Sequence, residues 1–147
     1  MATVYHVRKQ IRDAAIVLLT GLTTTGARVK NSPALPMQDA DLPGLRVYTQ
    51  TEQSQTLIQK TRERHLMLVV EACVKATSGY ADTVDLIATE VETALDGNSR
   101  LGGLCIAVAP VGFEEDQDAG GEQTVAIGRM RFEVLYHTAK GTPGAAA

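Results

Sequence analysis

Tryptophan is absent from this chain of 147 residues, and four tyrosines and two phenylalanines hold the aromatic content to 4%. With so few flat rings for bases to stack on, single-stranded nucleic-acid binding of the stacking kind is disfavoured. Positive charge is also short. Fourteen basic against seventeen acidic side chains give a net charge of −3, whereas a non-specific DNA binder needs a basic footprint. There are only two cysteines, Cys73 and Cys105, both inside apolar runs and without CxxC or Cys/His spacing for zinc. They read as small buried hydrophobes of a reduced protein. No apolar run approaches the roughly 18 residues of a membrane span, and the N-terminus lacks a secretory apolar core. A soluble cytosolic product with no membrane partner is the expectation.

Catalytic signatures are equally scarce. The turns "LTGLTTTG" and "SRLGGL" carry neither GxGxxG nor GxxxxGK[ST], so neither is a phosphate cradle. No GxSxG elbow occurs, and neither cysteine has the setting of a nucleophile. The three histidines, His6, His65 and His137, fall on a helix and two strands. His65 and His137 could meet across neighbouring strands, and a carboxylate such as Glu133 would complete a metal site. Nothing in their spacing requires it, and surface or interface histidines are the plainer reading. The acidic stretch Glu114, Glu115, Asp116, Asp118 and Glu122, with Gly120, lacks the ordered ligand run of a calcium loop and reads as a solvated hairpin loop. No cofactor is expected.

What the chain does have is an apolar fraction of 44%, ordinary for a globular domain. At this length roughly 68–70% of the unfolded surface can be buried, and one domain over residues 1–140 is expected. "AKGTPGAAA" has no apolar side chain larger than alanine, so 141–147 reads as a flexible tail. Charge is split along the chain. Residues 1–64 hold nine basic and five acidic side chains, a balance of +4; residues 65–147 hold five and twelve, a balance of −7. Opposite-signed halves can pair within one copy or between copies.

The periodicities give the elements. Val4, Val7, Ile11, Ala14, Ala15 and Leu18 recur at helical steps, with Arg8, Lys9, Arg12 and Asp13 opposite and Gly21 as a stop. A short strand follows near Arg28–Lys30. The prolines of "NSPALPMQDADLPG" enforce a loop over 31–44. "LRVYTQ" is a strand, and polar "TEQSQTLIQKTRE" is an exposed hairpin connection whose ends could extend the flanking strands as an arm. "RHLMLVVEACVKA" reads as a strand: Leu66, Leu68, Val70, Ala72 and Val74 share one face. His65, Met67, Val69, Glu71 and Cys73 form a mixed second face that should be partly covered. A second helix is marked by Val84, Ile87, Ala88, Val91, Ala94 and Leu95, closed by Gly97, with five acidic residues and no basic one. Strands over about 104–113 and 123–138 complete an α+β domain, an antiparallel or mixed sheet with two helices on one face.

Several stretches occur together in order: "HVRKQIRDAAIVLLTGLTTTGARV", the proline-rich loop into "LPGLRVYT", "ERHLMLVVEACVKA" before "DTVDLIATEVETAL", and terminal "RMRFEVLYHT". Over residues 5–138 the chain resembles the tail-terminator (minor tail protein U-like) proteins of long-tailed bacteriophages. The resemblance lies in element order and texture, not in a catalytic motif. It implies a ring-forming subunit, a homo-hexamer that caps the tail tube, stops its polymerisation and offers a surface to the head-side connector. The implied partners are further copies of the chain, the tail tube protein and the head–tail connector protein. Phage DNA would pass through the lumen without specific binding. The implied place is the virion tail or neck, after assembly in the host cytoplasm, and the implied activity is structural, not enzymatic. Another head–tail connector or tail-completion protein is the alternative, and a small ligand-binding metabolic module a more distant one.

A ring uses heterologous contacts, in which one patch meets a different patch on the next copy. The expected patches are the basic face of the first helix (Arg8, Lys9, Arg12) and the acidic second helix (Asp82, Asp85, Glu92). In the last strand Arg129, Arg131, Glu133 and His137 form a polar row, with Arg131 and Glu133 close enough to hold one another. That row is read as a sheet face at an intersubunit contact or along the lumen. Plain solvent exposure and a ligand or metal site are the alternatives.

Overall fold

Helix α1 spans Val7–Leu19. His6 precedes it, and its Nδ1 accepts the Arg8 amide at 3.1 Å, satisfying one of the donors a helix start leaves without an internal partner. Val7, Ile11, Ala15 and Leu19 are fully buried, a row four residues apart. Leu18, one residue to the side of that row, is only partly buried, and Val4 lies outside the helix and exposed. Helix α2, Tyr80–Asp96, buries Val84, Ile87, Val91 and Leu95, the stripe its periodicity implies. The computed structural model describes residues 3–33, 37–119 and 124–147.

The strands are β1 (Val29–Lys30), β2 (Gly44–Leu57), β3 (Thr61–Lys75), β4 (Ala107–Asp118), β5 (Val125–Ala139) and β6 (Thr142–Ala146). They form one sheet in the order β1-β2-β3-β5-β4, with β6 on β5. β1 runs parallel to β2 and every other pairing is antiparallel, so the sheet is mixed. The β3–β5 pair is in unbroken register from Thr61↔Ala139 to Lys75↔Val125. Leu66, Leu68, Val70, Ala72, Met130, Phe132, Val134 and Tyr136 therefore face the same side, where both helices cover them. Each such side chain taken fully out of water stabilises the fold by about 1.5–3 kcal/mol. The close approach of α2 depends on Gly128, where a Cβ would stand 2.3 Å from Val84 Cγ1. The expected α+β class, with two helices on one face of a mixed sheet, is the observed one.

The other face is covered at one end. Met37 and Leu42, from the proline-rich loop, bury Cys73, Val125 and Ile127 beneath them. That loop reaches the sheet through Gly44, where a Cβ would stand 2.1 Å from the Asp41 carbonyl oxygen.

The polar segment after Gln50 takes the form of the arm: β2 and β3 run on to a turn at residues 58–60, with a bulge between Thr49 and Glu52. Two local expectations change. β4 continues through Asp118, so Glu114, Glu115, Asp116 and Asp118 stand on a strand, not in a hairpin loop. Pairing with the long β5 overrides their low strand propensity, and an exposed charged edge resists unwanted strand addition. Gly120 and Glu122 lie outside the described residues. The expected loose tail is instead β6, paired at Thr138↔Ala146 and Ala139↔Thr142, on the stretch of β5 that lies beyond the first residue of β4. Gln10 Nε2 donates to the Gly144 carbonyl at 2.8 Å and ties that strand to α1.

Candidate functional site

Arg46, Glu71, Arg129 and Glu114 occupy directly opposed positions on β2, β3, β5 and β4. They make a ladder of alternating charge across four strands of the face away from the helices. Glu71, 2% exposed, meets Arg46 Nε at 2.8 Å and Arg129 Nε at 2.7 Å, and Tyr48 donates its hydroxyl proton to it at 2.8 Å. Arg129 reaches on to Glu114 at 2.9 Å, and Arg131 meets the same carboxylate at 2.8 Å. Burial works against the charge on Arg129, but its bonds to Glu114 and Glu71 outweigh it and raise its pKa. Glu114 is held below the usual carboxylate range by Arg129 and then Arg131. Burial, followed by the neighbouring Glu71 carboxylate, pushes the Tyr48 phenol up.

The polar row of β5 is thus tied up by cross-strand partners. Arg131 pairs with Glu114, its diagonal neighbour across β4, and not with Glu133, whose carboxylate is taken by His65. Glu133 takes His65 Nδ1 at 2.9 Å. Glu63 receives His65 Nε2 at 3.1 Å and His137 Nε2 at 3.4 Å. Bonds to Glu133 and then Glu63 raise the pKa of His65, and His65 followed by Gln55 lowers that of Glu63. His65 and His137 do come together, bridged by Glu63 where Glu133 was expected to complete the set. Among the described residues, no group of three or more His, Cys, Asp or Glu side chains is placed to hold a metal ion.

On the helix face a second hub forms around Glu52, which accepts from Arg8 at 2.6 Å, Arg64 at 3.0 Å and the Tyr136 hydroxyl. Burial, then this carboxylate, drives the Tyr136 phenol upward. The expected basic patch of α1 is therefore largely consumed within the molecule. Arg8 belongs to Glu52, Lys9 pairs with Asp13 at 2.6 Å, and Arg12 Nε is buried without a hydrogen-bond partner. Of the expected acidic patch, Asp82, Asp85 and Glu92 are exposed on α2 and make no ion pair among the described residues. Between α2 and β4 opens a cleft of about 360 Å³, with Asp85 and Glu92 on its rim and Pro110, Phe113 and Met130 in its lining.

Burial pushes the Cys73 thiol up to about 12 and the Cys105 thiol up to about 11, so neither forms thiolate near neutral pH. No helix among the described residues is long and apolar enough to cross a membrane. The reading of the sequence missed the Arg46–Glu71 pair and the Glu52 hub. A signal existed: Glu71 interrupts the apolar run of β3, and Arg46 interrupts "LRVY". A lone charge of each sign inside two apolar strands announces a paired burial. No protein-family model matches the chain, and no curated protein matches it.

Proposed function

We propose that this chain is a virion structural protein without enzymatic activity, a phage tail terminator. Its subunits close into a hexameric ring on the tail tube, arrest tube growth and present the head-side joining surface. What carries the reading is the resemblance of an ordered set of sequence blocks to those of that family. In this chain the blocks fall on α1, β2, β3, α2 and β5, the elements that make the core and not its decoration. Two further features are consistent with it. The charges of the open sheet face are spent holding neighbouring strands together. Carboxylates without an ion pair among the described residues remain on the acidic α2, which suits a subunit with unlike docking patches. A net charge of −3 suits a channel through which DNA passes without sticking.

The test is polymerisation of purified tail tube protein with and without this protein, followed by the length distribution of the tubes. Arrested growth in proportion to added protein supports the reading. Tubes of unchanged length, with the protein bound instead to the portal-side connector, would assign it to another component of the neck.

A further inference from the structure

At the tip of the β2–β3 hairpin, Ile58 is 94% exposed and sits at φ 44°, and Gln59 follows at φ 61°. A β-branched residue rarely adopts the left-handed region, and an apolar side chain so exposed gains nothing from its own fold. Lys60 and Lys140 are exposed beside it, and Lys140 N donates to the Lys60 carbonyl at 2.8 Å. Arg62 is two residues further on. None of the three makes an ion pair among the described residues. The tip is thus an apolar knob ringed by unspent positive charge.

The α2–β4 cleft has the opposite character. Its lining is apolar at Ala88, Pro110, Phe113 and Met130 and includes the carboxylates of Asp85 and Glu92, which make no ion pair among the described residues; Arg131 also lines it, with its charge taken by Glu114. Phe113 is 48% exposed there, on a strand whose free edge continues into Glu115. The register break between Pro110 and Gly112 opens the strand at this point.

We infer that the hairpin tip of one copy docks in the α2–β4 cleft of the next, with Ile58 on the apolar floor and Lys60 and Arg62 against Asp85 and Glu92. The occupant is a second copy of this chain because the two surfaces complement each other in both polarity and charge. They are also different patches, so the contact repeats head to tail and closes a ring or propagates. The inference rests on the ring reading above and supplies its missing basic partner, since Arg8 and Lys9 are engaged within their own subunit.

The experiment pairs Ile58→Cys with Ala88→Cys in the full chain, whose native Cys73 and Cys105 are both buried. Under mild oxidation the double variant should give a ladder of covalent multimers beyond the dimer, and each single variant should not. Ile58→Asn should abolish multimers in sedimentation while leaving the thermal midpoint unchanged or higher, because asparagine tolerates positive φ better. A structural role alone would lower the midpoint instead. Lys60→Glu with Arg62→Glu, and Asp85→Lys with Glu92→Lys, should each fail to assemble alone and recover assembly when mixed. No ladder, a wild type that stays monomeric, or full assembly of Ile58→Asn would overturn the docking. The ring-on-tube reading fails separately: cross-linked rings that leave tube growth unaltered would sink it and keep the contact. Tube arrest by Ile58→Asn at the wild-type level would do the reverse.

Discussion

Glu71→Ala isolates the buried ladder. The carboxylate is 2% exposed and serves Arg46, Arg129 and Tyr48 at once. Removing it strips the Arg46 guanidinium, whose side chain is 7% exposed, of its buried carboxylate. Breaking such a pair costs about 3–5 kcal/mol. Arg129 suffers less, since it keeps Glu114. Urea unfolding followed by circular dichroism reads the effect: with a slope of about 2 kcal/mol per molar, the midpoint should fall by roughly 1.5–2.5 M. The apolar replacement Arg46→Leu with Glu71→Met should lose far less, because it removes both desolvated charges together. A loss below about 1 kcal/mol for Glu71→Ala would refute the reasoning, since that is the scale of a solvated surface pair.

Gly128→Ala should destabilise by about 1–3 kcal/mol through overpacking against Val84. Adding Val84→Ala should recover part of that loss, and a double-mutant cycle with no coupling would contradict the contact. Glu52→Ala removes a carboxylate shared by Arg8, Arg64 and Tyr136. It should cost about 1.5–3 kcal/mol in denaturant unfolding; an unchanged midpoint would show the hub to be solvated. The raised pKa of His65 stabilises the fold below its ordinary value of 6.5, and that contribution fades as pH rises through the higher folded value. Glu63, lowered from 4.5, contributes above that pH and loses its contribution as pH falls through its folded value. The stability gap between wild type and His65→Gln should therefore be widest between 4.5 and 6.5 and narrow on the alkaline side. A gap that widens with alkali would reverse the sign of the argument.

Elements whose burial follows one period were legible in the sequence. The stripe Val84, Ile87, Val91, Leu95 and the alternation Leu66 to Val74 reappear as core almost residue for residue. What depended on a partner strand was not. The acid-rich end of β4 looks like a loop until β5 is beside it, and Thr142–Ala146 looks like a tail until β5, running past the start of β4, offers it an open edge. Arg131 seemed to have Glu133 as its neighbour because the sequence shows spacing along a strand, whereas the sheet brings Glu114 across. The acidity of α2 can be read from its residues alone, but the local pairing that takes Arg8 and Lys9 out of the basic counterpart cannot. Unpaired positive charge remains at the hairpin tip, on Lys60, Arg62 and Lys140.

We propose that the chain is a building block for closing a tube, and electron micrographs of tail tubes incubated with the purified protein test this most directly. One ring, built from copies of this chain alone, is expected on a single end of each tube. Bare tube ends beside dispersed single particles would contradict it.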